Sequence, residues 1–232
     1  MLVKLGFWQL ARAEQKQTIA ADLAERQQTG PLDFQQLLTK SHQHSLTGFT
    51  AKILVTPSSK GTILLDNQTF KGKVGYLAYQ LVQPTASNYL LMMELGFVAA
   101  GKDRQQLPTV ATLAAPQVIQ GRVYQKSINP LSSQLLAENG WPMRIQNLNL
   151  PQLSEHLGQP IAPFVVQATN IEGNELPQPW QPIPMAAKKH IGYAVQWFSL
   201  AAALIVLSGY LLISKTNSRK PSEDIAKQQM SE

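Results

Sequence analysis

Ile191 to Ile213 is a run of 23 residues without a charge. As a helix rising 1.5 Å per residue it spans about 34 Å, enough to cross a hydrocarbon core of about 30 Å. Eleven of its residues are Leu, Ile, Val or Phe. They favour insertion by about 3 to 7 kcal/mol before Gln196, Ser199 and Ser208 subtract from that. Tyr193, Trp197 and Phe198 lie near one end and Tyr210 near the other, where an aromatic belt sits. The competing reading, a buried core helix, fits worse because such helices are usually shorter. A chain with this segment is expected to be held in a membrane by its C-terminal end.

The 189 residues before His190 suffice for one domain of ordinary size. With 44% hydrophobic and 15% charged residues overall, the chain can bury a core. Up to Lys189 there are 16 Lys/Arg against 11 Asp/Glu. That excess is modest and scattered, with no basic stripe interleaved with aromatics, so nucleic acid is not an expected partner. The chain has no cysteine. Disulfides, thiolate metal sites, C-x-x-C-H haem attachment and cysteine nucleophiles are thereby excluded.

The pattern predicts a membrane-anchored α+β protein, with a β-rich extramembrane domain, an N-terminal helix and a C-terminal transmembrane helix. The helix covers 1–28; from Leu5 to Gln28 it lacks proline, and Leu5, Trp8, Ile19 and Leu23 fall roughly on one side. Gly30-Pro31 ends it, and a short helix from Asp33 to Lys40 is capped by Asp33. The β-rich domain covers 29–175, with strands expected at Leu46–Val55, Thr62–Leu65, Gly75–Val82, Tyr89–Val98, Val118–Tyr124 and Phe164–Thr169. Asp66-Asn67 and Lys71-Gly72-Lys73 read as turns at strand ends. Residues 176–190 form a connector held extended by Pro177, Pro179, Pro182 and Pro184. The membrane helix follows at 191–213 and a polar tail at 214–232.

No catalytic signature is present: there is no G-x-S-x-G, P-loop, G-x-G-x-x-G or H-E-x-x-H. The expectation is a protein that is not an enzyme. His42 and His44 have a ligand-like spacing but no third ligand, and read as surface histidines in a polar turn; His156 has no polar cluster around it. His190 differs by position. With Ala194, Trp197, Ala201, Leu204 and Ser208 it forms one helical stripe whose small residues let another helix approach. Two readings of His190 stand on the residues alone: an interfacial imidazole touching lipid headgroups beside Lys188 and Lys189, or an axial ligand to a haem iron. In the second, Tyr193 and Trp197 are candidates to pack on the haem face.

Gly6-Phe7-Trp8-Gln9-Leu10-Ala11-Arg12-Ala13 followed by Lys16 resembles the G-x-W-Q-L-x-R-x-x-x-K opening of the surfeit-one family of cytochrome c oxidase assembly factors. His190-Ile191-Gly192-Tyr193-Ala194-Val195-Gln196-Trp197-Phe198 resembles that family's H-x-G-Y-A-x-Q-W-F at the start of its second membrane helix. Between them Asp66-Asn67, Gly72, Gly75-Tyr76 and Pro84 resemble the family's middle. The resemblance runs from about Leu5 to Ile213. It implies an integral protein of the bacterial inner membrane, with its main domain on the periplasmic side and its tail in the cytoplasm. It also implies haem a held transiently through His190 and delivered to oxidase subunit I, with subunit I, haem a synthase and the lipid bilayer as partners. The alternative is a membrane scaffold that stabilises an oxidase assembly intermediate without touching haem.

The chain departs from the family pattern in three places. Glu94-Leu95-Gly96-Phe97-Val98-Ala99 stands where the family has N-R-G-W-V-P, and Lys188-Lys189 replaces a polar pair. Only Met1 to Leu5 precede the Gly-x-Trp motif, so the family's first membrane helix is expected upstream, as the partner for the face of Ala194, Ala201 and Ser208. Lys215, Arg219 and Lys220 against Lys188 and Lys189 fit a cytoplasmic tail by one residue, so orientation rests mainly on the resemblance.

Overall fold

The computed structural model describes residues 1–126, 132–179 and 185–217. In chain order the elements are α1 (Leu2–Gln28), β1 (Pro31–Leu32), α2 (Phe34–Ser41), β2 (Thr50–Pro57), β3 (Ile63–Phe70), β4 (Lys73–Pro84), β5 (Leu90–Ala99), β6 (Gln117–Tyr124), β7 (Met143–Ile145), α3 (Leu150–Leu157), β8 (Ile161–Ala168) and α4 (Ala187–Asn217). They divide into two compact units, Met1–Ala21 with Ile183–Glu232, and Asp22–Pro182.

The second unit is built on a closed sheet. β2, β6, β8, β5 and β4 lie side by side in that order, and β4 pairs back onto β2 through Val55–Pro84 and Thr56–Gln83, closing a five-stranded barrel. Closure leaves these strands no free edge. β2 shows why a strand forms here: Ala51, Ile53 and Val55 are buried while Lys52, Leu54 and Thr56 point outward, a period of two. β4 and β5 are buried on both faces, so they read as nearly continuous apolar runs. One face joins the barrel interior with Ile53, Leu91, Met93, Ile119 and Phe164. The other joins an outer layer formed by Ile63, Leu81, Met92, Leu148 and Leu153.

The N-terminal helix and α2 form where the sequence predicts them. α2 carries a full capping box, with the Gln36 amide donating to Asp33 Oδ1 at 2.8 Å and the Asp33 amide donating to Gln36 Oε1 at 3.0 Å. All six expected strands exist with shifted ends. β2 starts at Thr50 because residues 46–49 are a turn around Gly48 (φ 100°), closed by a Phe49 N–H to Leu46 carbonyl bond. The turn expected at Asp66-Asn67 is instead a bulge inside β3: Asn67 has φ 56° and the register slips between Leu65 and Gln68. The hairpin turn sits at Lys71-Gly72, both with positive φ, as a two-residue hairpin requires.

Three elements have no sequence prediction behind them. β1 and β7 are short edge strands, each added in parallel to a neighbour. α3 is capped by Asn149, whose side chain accepts from the Gln152 amide, and ends at Gly158 in the left-handed region. It buries Leu153 against the outer layer.

The first residues of the proline connector belong to the barrel. The Phe97 amide donates to the Pro177 carbonyl at 2.7 Å, and Asn174 Nδ2 donates to the Leu95 carbonyl at 2.7 Å. Of the expected connector 176–190, residues 180–184 lie outside the described residues, as does the tail beyond 217, and 187–190 already form the first turn of α4, which is Ala187–Asn217. Gly96 makes this contact possible. It follows Leu95, the unpaired residue of the β5 bulge, and has φ 134°; a Cβ there would lie 2.7 Å from Leu176 Cβ and 2.8 Å from the Pro177 oxygen. Gly96→Ala should destabilise the barrel by about 2 kcal/mol through strain and overlap. A lowering of its thermal midpoint by about 4 to 8 °C in circular dichroism is expected; an unchanged midpoint would show that the connector is not anchored there.

Candidate functional site

The first unit brings together the two ends of the chain. Gln9 Oε1 lies 2.7 Å from His190 Nδ1. Phe7 and Phe198 meet edge-on, with ring centroids 5.3 Å apart and planes at 77°. Rising numbers along α1 therefore face falling numbers along α4, so the two helices run antiparallel at this contact. The approach is close because Gly6 has no side chain: a Cβ there would sit 2.5 Å from the Phe198 ring. Gly6 and Ala13 are buried on α1, with the half-buried Leu2 and Gln9 on the same stripe. On α4, Ala194 and Ala201 are buried in register with His190. Small residues facing each other at these spacings let the two helices pack at short range.

Two expectations change here. The face of Ala194 and Ala201, expected to lack a partner within the chain, meets α1 at the His190 end; Leu204 and Ser208, farther along the stripe, are exposed. Trp8, expected on the apolar side of α1, is 51% exposed, with the Arg12 guanidinium 5.6 Å above its ring. The side of α1 that packs is the small one around Gly6, because size complementarity outweighs hydrophobicity where backbones must approach.

The predicted site residues separate accordingly. His190 is half-buried and held by Gln9; Trp197, two turns on, is half-buried, and Tyr193 is exposed. Among the described residues Nε2 of His190 has no hydrogen-bond partner. His42 caps the end of α2, His44 lies in a polar groove with Asp22, Glu25 and Lys40, and His156 sits exposed in α3. No group of three or more His, Cys, Asp or Glu is placed to hold a bare metal ion among the described residues. Gln9 drew attention in the sequence only as part of a motif. No local signal assigns it a role, since its partner is 181 residues away.

A second polar cluster lies inside the barrel unit, on the outer face of the strands. Glu94 is fully buried. It accepts from the Tyr124 hydroxyl and from Gln167 Nε2 at 2.9 Å, and Tyr124 is in turn 3.1 Å from the Tyr79 hydroxyl. Burial pushes the Glu94 carboxyl up by more than the Tyr124 and Gln167 hydrogen bonds pull it down. Burial, reinforced by charge on Glu94, pushes both tyrosines well above the usual phenol range. Asp66, in the β3 bulge, behaves oppositely. Burial opposes its charge, but the Asn67 amide, Arg104 and Gln146 outweigh it and hold the carboxyl below the usual range. Arg104 lies 5.5 Å above the Tyr76 ring, so this ion pair ties residue 104 of the long β5–β6 loop to the sheet.

The fold and this site define a class: a small barrel domain whose chain begins and ends in a pair of packed antiparallel helices, the second apolar enough to cross a membrane. The profile of the SURF1 family matches residues 1–202, a span that takes in Gly6–Ala13 and His190–Phe198 together. The chain belongs to the SURF1 family, a family of oxidase assembly factors. A SURF1-like protein of Rickettsia bellii (strain RML369-C) is 25% identical over 215 residues, covering 89% of this chain and 84% of that protein.

The Glu94 network has a consequence for pH. A carboxyl whose folded pKa is raised stabilises the fold fully below its unfolded pKa of about 4.3, and that contribution is lost as pH rises through the folded value. Glu94→Gln keeps the shape without the charge. Its thermal midpoint relative to the parent protein should rise as pH increases from about 4 and level off above the raised pKa of the Glu94 carboxyl. A difference independent of pH would mean that Glu94 is not held protonated by the fold.

Proposed function

We propose that the protein is a membrane-anchored assembly factor for a haem–copper terminal oxidase that holds haem a through His190 and passes it to subunit I. The observation that carries this reading is the His190 imidazole: pinned through Nδ1 at the start of α4, with Nε2 free of any partner among the described residues. A single imidazole is a poor site for a bare cation but a sufficient protein ligand for haem. Haem would bring its own macrocycle to the iron, and His190 would hold it through Nε2. The surroundings suit a flat apolar ring. Space is open beside Gly192, where a Cβ would have no atom within 4 Å, and Tyr193 next to it is 45% exposed. Tyr193 and Trp197, one and two turns beyond His190, would pack against the macrocycle.

Membrane anchoring rests on α4. Ala187–Lys215 has a mean hydropathy of 2.0 over its most apolar window. Ile205, Val206 and Leu212 are each about 70% exposed, apolar surface that lipid would cover. The bacterial inner membrane is the expected location, with the barrel domain on the periplasmic side and the tail in the cytoplasm. Oxidase subunit I and haem a synthase are the expected partners. The protein's own residues bind and orient the cargo, and no turnover is assigned to them.

The test is an absorption spectrum of the full chain, purified in detergent from cells that make haem a, beside His190→Ala. A haem a Soret band reduced at least about tenfold in the variant is expected, the usual scale for loss of a metal ligand or its support. Equal haem in both proteins would remove His190 as the ligand. No haem in either would favour the scaffold role.

A further inference from the structure

We infer that Gln9 is the positioning residue for His190: its side-chain carbonyl selects the imidazole tautomer that carries hydrogen on Nδ1 and leaves the lone pair on Nε2. The inference rests on the reading of His190 as a haem ligand but makes a claim that can be tested without haem. Gln9 Oε1 stands 2.7 Å from Nδ1. A carbonyl oxygen accepts and never donates, so a bond at this distance requires the proton on Nδ1. The opposite tautomer would set two lone pairs against each other and place hydrogen on the nitrogen that must face the iron. An amide turned the other way, donating to a bare Nδ1, would likewise leave hydrogen on Nε2 and disable it as a ligand. The orientation of one amide therefore decides whether this imidazole can bind a metal.

The position of Gln9 is set by packing. Gly6, one turn before it, lets α1 approach until the Phe198 ring fills the place of a side chain, and Phe7 closes edge-on against the same ring. Those contacts fix the height and rotation of α1 beside α4, and so the point at which the Gln9 carbonyl meets the imidazole. Metal-binding histidines commonly donate their other N–H to a carbonyl or carboxylate in this way, which orients the ring and makes it a better donor. The Gly-x-Trp-Gln stretch thus acquires a physical reading: the glycine brings the helices together and the glutamine uses the approach.

The test uses the full chain in detergent, labelled with 15N-histidine, first without haem. In the parent protein the nonprotonated ring nitrogen of His190, assigned by its disappearance in His190→Ala, is expected to be Nε2. In Gln9→Leu the signals should shift to a mixture of tautomers. Ferric haem a titrated into the same samples should bind Gln9→Leu about 10- to 100-fold more weakly. Gln9→Glu, which keeps the acceptor and adds charge, should restore the Nδ1–H tautomer and haem affinity while lowering the reduction potential of the bound iron. A parent protein with hydrogen on Nε2, or a Gln9→Leu protein with unchanged signals and affinity, overturns the inference. The expected tautomers with no haem bound by any sample would support the Gln9 clamp and overturn the haem reading instead.

Discussion

A single hydrogen bond, Gln9 to His190, joins residues at opposite ends of the chain, and the candidate site depends on it. In lipid, the setting proposed for α4, an apolar helix has no hydrophobic gain from meeting a partner, because lipid tails are as apolar as leucine. What remains is close packing and polar contacts. This pair has both: Gly6 under Phe198, buried Ala194 and Ala201, the edge-on Phe7–Phe198 contact and the polar bond itself. Without the small residue at Gly6, the Phe198 ring and any β-carbon at position 6 would claim the same space. The bond would then lie out of reach.

The barrel follows a different logic. Its strands close on themselves, so backbone groups are satisfied by pairing, and β4 and β5 are buried on both sides. Burial on both sides makes every polar side chain on those strands expensive unless it finds a partner. Gln80 finds one by imitating a backbone: it donates to the Leu113 carbonyl at 2.9 Å and accepts from the Leu113 amide at 2.8 Å, pinning the long loop after β5. Glu94 finds Tyr124 and Gln167. These contacts specify where loop and strands lie, beyond what the apolar core alone would fix.

Much of this was legible in the sequence, for physical reasons that differ from element to element. The charge-free run 191–213 announces its helix by composition alone, and the alternation in β2 announces its strand by period. The Asp33 cap is local chemistry and reads directly. Other features depend on partners far along the chain. The bulge at Asn67 imitates a turn because Asn accepts a positive φ in both settings. β1 and β7, of two and three residues, carry too few positions for a periodic signal. Trp8 misleads for a related reason: a large apolar ring suggests a buried face, while the packing demands a small one. His190 stands out by its place at the edge of the apolar run. Gln9 could not be found that way, since only the folded chain puts it beside the imidazole.

The presentation of His190 depends on α1 lying beside α4 at the level of Gly6, Phe7 and Phe198. Replacing Phe198 with the photoreactive p-benzoylphenylalanine and irradiating the protein in lipid bilayers reads that proximity directly. A crosslink to the tryptic peptide from Leu5 to Arg12, identified by mass spectrometry and weakened sharply in Gly6→Leu, is the expected result. Crosslinks confined to lipid, or to parts of the chain outside α1, would contradict the pairing and with it the presentation of His190.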